Sequence, residues 1–197
     1  GDPPDYEQPV EKSIYVEARN RGVSTLEAIY DAMLAKDGRE LLYFPIFNYG
    51  SMSLDDVRTM IEHPLALVAL SDGGAHVGTV CDASFPTFLL THWARDRTEG
   101  RISIETAVRR LTSDVAQHLG LADRGVLAVG KRADLNVIDH ANLRLHPPRL
   151  VHDLPAGGRR LLQDADGYLA TIVGGAIIAE GGRLTGERPG RVVRVLA

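Results

Sequence analysis

The stretch "ALSDGGAHVG", residues 69–78, carries the chain's most chemically loaded spacing. A lone carboxylate, Asp72, follows the apolar run "PLALVAL" and is followed at once by two glycines and, four residues on, by His76. Asp before Gly-Gly is a common turn residue, its carboxylate bonding nearby backbone N–H groups. The same placement has a second reading. Reactive groups of parallel α/β sheets and barrels sit at the C-terminal ends of strands. A carboxylate there is able to bind a metal and to act as a general base on water. The glycines let main chain approach a ligand closely, and His76 lies within reach of the same cavity. A second cluster, Cys81, Asp82, His76 and His92, matches no closed zinc spacing, and a lone Cys is more often a small buried hydrophobe.

These residues need elements to position them. "LALVAL" (65–70) reads as a continuous apolar strand of the kind covered on both faces in parallel sheets. "ELLYFPIF" (40–47) reads as a short buried strand, weakened by Pro45, with Asn48 and Tyr49 at its end. Between them "SLDDVRTMIEH" predicts a helix capped by Ser53, facing inward through Val57, Met60 and Ile61 and stopped by Pro64. The pair Asp55-Asp56 suits a helix N-terminus. Upstream, "GDPPDYEQP" reads as a lead-in loop. "STLEAIYDAML" reads as a helix with a Ser24/Glu27 capping box, an apolar stripe of Leu26, Ile29, Tyr30, Met33 and Leu34, and a stop at Gly38. Downstream, "SFPTFLLTHWARD" and "SIETAVRRLTSDVAQHLG" are helical, the second ending at Gly120; Trp93 and the Arg95–Arg97 pair read as packing and solvated surface. The order helix, strand, helix, strand, helix is the rhythm of an α/β barrel or doubly wound sheet. After Gly120 the character changes. A strand is predicted over 133–139, residues 141–165 lack clear periodicity, and Gly174-Gly175 marks a hairpin.

Composition narrows the field. The chain has 197 residues, a net charge of −4, 44% hydrophobic residues and one cysteine. The hydrophobic fraction supports a real core. No basic stripe points to nucleic acid. No apolar run is long enough for a membrane span. A single cysteine excludes an intrachain disulfide framework and fits a reducing, cytoplasmic setting.

Four stretches, in order, resemble the amidohydrolase superfamily, and within it the N-acyl-D-amino-acid deacylase group. "LVALSDGGAHVG" is similar to the family's last barrel strand, which ends in Asp. "FNYGSMSLDDVRTMIEHP" is similar to the end of strand seven and the helix that follows. "LTSDVAQHLGLADRGVLAVGKRADLNVID" is similar to the exit from barrel to β-sandwich, with Gly-x-x-x-x-Gly-x-x-Ala-Asp-Leu running from Gly125 to Leu135. "TIVGGAIIAEGGRLTGERPGRVVR" is similar to the closing hairpin, with Thr-Gly-x-x-Pro-Gly-Arg ending at Arg191.

The resemblance implies an α/β fold: the C-terminal part of a metal-dependent (β/α)8 TIM barrel, its last two strand–helix units over 1–122, followed by part of a small β-sandwich over 123–197. It implies a hydrolase of amide bonds that deacylates N-acyl-D-amino acids or related amides. One or two zinc ions would lower the pKa of a bound water to about 7 and polarise the substrate carbonyl. Asp72 would bind the metal, take the water's proton and deliver it to the leaving amine. His76, Asn48 and Tyr49 would contact substrate. The family's His-x-His is absent here, and the seven histidines are scattered. The chain is therefore expected to be inactive alone and to need the N-terminal part of the barrel. In isolation it is expected to associate with that part, with itself as a homo-oligomer, or with chaperones. The local Pro-x-Arg pattern with which some relatives bind the substrate carboxylate is also absent. Two other readings stay open: a non-catalytic relic or subunit, and an independent α/β binding domain in which Asp72 only makes a turn.

Overall fold

The computed structural model describes residues 1–69 and 78–194. The chain divides into two compact units, Gly1–Pro64 and Leu65–Ala197. Among the described residues every strand pairing is antiparallel and no closed barrel is formed.

The first unit is helical. Helix α1 (Ile14–Arg21) was not expected from the sequence; Ser13 caps it by accepting from the Val16 N–H at 3.3 Å, and Gly22 ends it at φ +70°. Helix α2 (Thr25–Gly38) begins as expected, with Ser24 Oγ accepting from the Glu27 N–H at 3.2 Å. Its regular course stops at Ala35, before Gly38, because Lys36 and Asp37 enter the left-handed region. The two helices pack together over Ala18 and Ala28. The expected stripe on α2 is a correction: Leu26, Tyr30, Met33 and Leu34 are exposed, and only Ile29 is half-buried. An apolar helix face is buried only when a second layer lies against it. Helix α3 (Asp55–Glu62) forms over the expected residues, but of its expected inward face Met60 is exposed and Val57 and Ile61 are only half-buried; Ser53 accepts from the Asp55 N–H instead of capping it in the usual way, and Leu54 occupies the cap position.

The two expected barrel strands are also corrected. Neither 40–47 nor the described residues of 65–70 form a strand. Phe44, Ile46, Phe47 and Leu65 are exposed. The physical reason is pairing. A parallel strand exists only by bonding neighbours on the sheet, and Pro45 removes one donor besides.

The first helical run described in the second unit starts at Asp82. A 3-10 turn (Asp82–Ser84) leads into α4 (Phe85–Phe88), which continues as a π-helix over Leu89–Asp96. Its wide turns bury Leu89, Leu90, Thr91 and Trp93. Helix α5 (Ile104–Leu111) is capped by Ser103, whose Oγ accepts from the Thr106 N–H at 3.1 Å. A break at Thr112 separates it from α6 (Ser113–His118), and Gly120 stops the run at φ +68°. Both ends lie where the sequence puts them; the break does not show there.

The β-rich part follows. Strands β1 (Leu135–Ile138), β6 (Tyr168–Val173), β7 (Ala176–Glu180) and β8 (Arg183–Leu184) form one sheet in the order β1-β6-β7-β8. The β6–β7 turn is Gly174-Gly175 with both φ positive, as a tight hairpin demands. Residues 141–165 hold two further pairings: β2 (Arg144–Leu145) with β5 (Ala165–Asp166), and β3 (Arg149–Leu154) with β4 (Gly158–Leu162). Helices and strands of this unit lock together through side chains. Thr87 and Tyr168 share a hydroxyl hydrogen bond of 2.7 Å, and His140 Nε2 meets the Leu90 carbonyl at 2.9 Å. The Arg95 guanidinium donates to the carbonyls of His140, Ala141 and Leu143. Leu143 and Leu145 are buried beneath that grip.

Candidate functional site

Asp72 and His76, which carry the sequence argument, lie outside the described residues. Their flank is described. The Ala66 carbonyl, six residues before Asp72, accepts a 3.0 Å hydrogen bond from the Arg110 guanidinium. Arg110 sits on α5 with its side chain only 6% exposed and is paired with Asp114 at 3.3 Å. Arg109 reaches the same Asp114 carboxylate at 3.6 Å. Arginine on an amphipathic helix reads as surface in a sequence. No local signal marked Arg110 as buried.

Asn48 and Tyr49 belong to the first unit and adjoin one another in a turn. Asn48 is exposed at φ +60°, a conformation that Asn adopts more readily than most residues. Tyr49 is buried, and its hydroxyl donates to the Gln8 carbonyl. Burial, aided by the negative charges of Glu7 and Asp5, pushes the Tyr49 hydroxyl above its ordinary pKa. It therefore stays a neutral donor. The lead-in loop is held to the same stretch at two more points. Glu7 accepts from the Leu54 N–H at 2.9 Å, and Tyr43 donates to the Tyr6 carbonyl at 3.3 Å.

The second cluster has other occupations. The Cys81 thiol is half-buried; burial first, then the charge of Asp82, raises its pKa and disfavours the thiolate a metal needs. The His92 ring stacks on Phe88 at 4.6 Å and meets Trp93 edge-on at 5.3 Å. Among the described residues no group of three or more His, Cys, Asp or Glu is placed to hold a metal ion. The described residues thus do not furnish the zinc site that the resemblance implies.

The Gly125–Leu135 pattern does build something. Gly125 lies at φ +86° against α6, where an added Cβ would stand 2.6 Å from the Ala116 Cβ. Asp134 accepts from the Gly174 N–H at 2.8 Å, from Arg132 at 2.9 Å and from Arg124 at 3.2 Å. The Gly175 N–H donates to the Ala133 carbonyl at 3.0 Å. The motif ties the β6–β7 turn to the segment leaving the helices.

The sequence pattern of the Amidohydrolase family matches residues 30–179. The chain belongs to the amidohydrolase family. Among curated proteins the chain is similar to the N-acyl-D-aspartate deacylase of Alcaligenes xylosoxydans xylosoxydans, 31% identical over 145 residues, 74% of this chain and 27% of that protein. It is similar to the D-aminoacylase of the same organism, 33% identical over 147 residues, covering 74% and 28%. It thus spans little more than a quarter of the length of these relatives. Among solved structures it is similar to a D-aminoacylase mutant in complex with copper(II) chloride, with a TM-score of 0.52 at 23% identity over 92% of this chain and 34% of that one. A second D-aminoacylase structure matches with a TM-score of 0.50 at 23% identity, covering 89% and 33%. The expected family is the observed one, and the fold is a partial α/β arrangement of that family.

Proposed function

We propose that this amidohydrolase chain is the C-terminal portion of a metal-dependent deacylase of N-acyl-D-amino acids. Residues 1–122 then belong to the barrel, with its last two strand–helix units, and 123–197 to the β-sandwich. The observation that carries the reading is the identity of 31–33% to two such deacylases over 74% of the chain. Asp72 is the acid–base residue: its carboxylate takes a proton from the attacking water and returns it to the leaving amine nitrogen. It is also one ligand of a zinc ion, whose chemistry when bound is to polarise the amide carbonyl. The remaining ligands come from outside the described residues, from the N-terminal part of the barrel. His76 holds the substrate carboxylate or the developing oxyanion. Asn48 is exposed and free to meet substrate; the buried Tyr49, its hydroxyl engaged by Gln8, supports that turn from within.

The test compares the full natural polypeptide with its Asp72→Ala variant on N-acetyl-D-amino acids, reading free amine release. The expected loss is at least about 100-fold in kcat, the scale of a lost general acid–base group, with the circular-dichroism spectrum unchanged. Retained activity in Asp72→Ala overturns the assignment and leaves Asp72 a turn residue.

A further inference from the structure

Leu54 starts helix α3 with a side chain that accepts no hydrogen bond. At many helix starts a Glu or Gln three residues in reaches back to the N–H of the cap residue. That place is held here by Val57. The acceptor comes from far upstream: Glu7, 47 residues away, accepts from the Leu54 N–H at 2.9 Å. Negative charge is favourable at a helix start, but Asp55 and Asp56 already supply it there. What Glu7 adds is a tether for the main chain.

Glu7 belongs to a compact bend. The Asp5 carboxylate accepts from the Glu7 N–H at 3.0 Å, and the Gln8 amide donates to the Asp5 carbonyl at 3.1 Å. This bend takes up two tyrosine hydroxyls. Tyr43 donates to the Tyr6 carbonyl at 3.3 Å, with the two rings edge-on at 5.2 Å, and Tyr49 donates to the Gln8 carbonyl at 2.5 Å. The tethers at Tyr43, Tyr49 and Leu54 thus lie on both sides of Asn48. The chain between them needs holding. Asn48 has φ +60° and Met52 φ +54°, both in the left-handed region. Asn enters that region with some ease; Met does not. Such conformations persist where surrounding contacts over-determine the chain. Within the turn the Met52 N–H donates to the Tyr49 carbonyl at 3.1 Å. The bend adds restraint from outside.

We infer that the Asp5–Gln8 bend is a strap that holds the turn around Asn48 in its left-handed conformation, and that Glu7 is a positioning residue for Asn48. The Asn48 amide carries both donors and an acceptor. Held in one orientation, it meets the N-acyl amino acid without first having to be ordered, which strengthens binding. The inference rests on the reading of Asn48 given under Proposed function.

The experiment measures kcat and KM for N-acetyl-D-amino acid hydrolysis by the full natural polypeptide and its Asn48→Ala, Glu7→Ala, Glu7→Gln and Tyr49→Phe variants. Glu7→Ala removes the acceptor for Leu54, and Glu7→Gln keeps an oxygen there. Tyr49→Phe cuts the bond to Gln8 and keeps the ring. Loss of an interaction that binds substrate and transition state equally raises KM and leaves kcat alone. The expected rise in KM is about tenfold for Asn48→Ala and roughly fivefold for Glu7→Ala and Tyr49→Phe, the scale of one hydrogen bond. Glu7→Gln is expected to restore KM to within about twofold of wild type, and kcat is expected to hold in all four. A merely structural strap lowers thermal stability while the folded fraction keeps wild-type KM; that result overturns the inference and leaves Asn48 in place. Equal rises in KM for Glu7→Gln and Glu7→Ala overturn it too, because a retained acceptor would then hold nothing. If Tyr49→Phe does not fold, Glu7→Ala decides: wild-type KM there overturns the strap. Wild-type KM in Asn48→Ala, or an inactive wild type, overturns the reading of Asn48 and the strap with it.

Discussion

Asp134 shows how a single carboxylate joins two parts of a chain far apart in sequence. It sits one residue before β1 and accepts from the Gly174 N–H in the β6–β7 turn, with Arg132 and Arg124 as its charged partners. Hydrogen bonds to ionised groups contribute about 1.5–3 kcal/mol each, and more is lost when a partner is left unmet. Asp134 is partly exposed, so water takes over some of these bonds in a variant. Asp134→Ala is expected to destabilise the full natural polypeptide by about 2 kcal/mol, seen as a lowered midpoint in urea unfolding with an unchanged slope. An unchanged midpoint would show the turn held by its backbone pairing alone. The contrast with Asp72 is instructive. Both are aspartates of glycine-containing motifs, yet the tie to Gly174 makes Asp134 architectural. Its environment, not its residue type, assigns that role.

Elements differ in how much of their stability is local. Ser103 and Ser24 cap their helices through contacts three residues away. Ser103→Ala is expected to cost about 1 kcal/mol, measured by the same unfolding experiment; Ser103→Gly, which adopts the cap conformation easily, is expected to cost less, and equal losses would show that the missing side-chain oxygen alone sets the cost. Such features are legible in a sequence because cause and effect lie within one turn. The same holds for the Gly174-Gly175 hairpin and for Gly120, both of which occupy positive φ where the sequence demands it. The β3–β4 hairpin escaped because its turn, Pro155–Gly157, places Ala156 at φ +59°, a conformation that no alanine advertises. Arg110 and Arg95 escaped because their partners are main-chain carbonyls, at Ala66 and at His140–Leu143, which carry no residue code. Hydrophobicity alone reads the apolar runs at 40–47 and 65–70 as strands, and the resemblance puts them in a barrel. Periodicity states what a segment would do beside the right neighbours; it does not supply them. For the candidate site, the sequence names Asp72 and His76, which lie outside the described residues, and the structure adds the hydrogen bond from Arg110 to the Ala66 carbonyl in the described flank.

At the scale of the whole molecule the same missing neighbours become a solution property. Leu26, Phe44, Phe47 and Leu65 are each at least 79% exposed, and Tyr30, Met33, Leu34 and Ile46 lie more than half open. Single exposed apolar residues are ordinary, but runs of them mark a surface that another layer covers. The family relatives are more than three times as long as the stretch they share with this chain. In the proposed enzyme the rest of the barrel covers these faces and pairs the strand edges. The isolated 197-residue chain lacks that cover. It is therefore expected to elute from size-exclusion chromatography, with light scattering, as species heavier than its 21.4 kDa, or in complex with chaperones. Replacing Phe44 and Phe47 together by Ser is expected to shift the distribution toward the monomer, because it removes two large apolar groups without touching a buried contact. A monomer at 21.4 kDa for the unaltered chain would mean that the exposed faces fold onto one another unaided. The chain would then be a self-sufficient domain, and the proposal that it completes a barrel begun elsewhere would lose its physical basis.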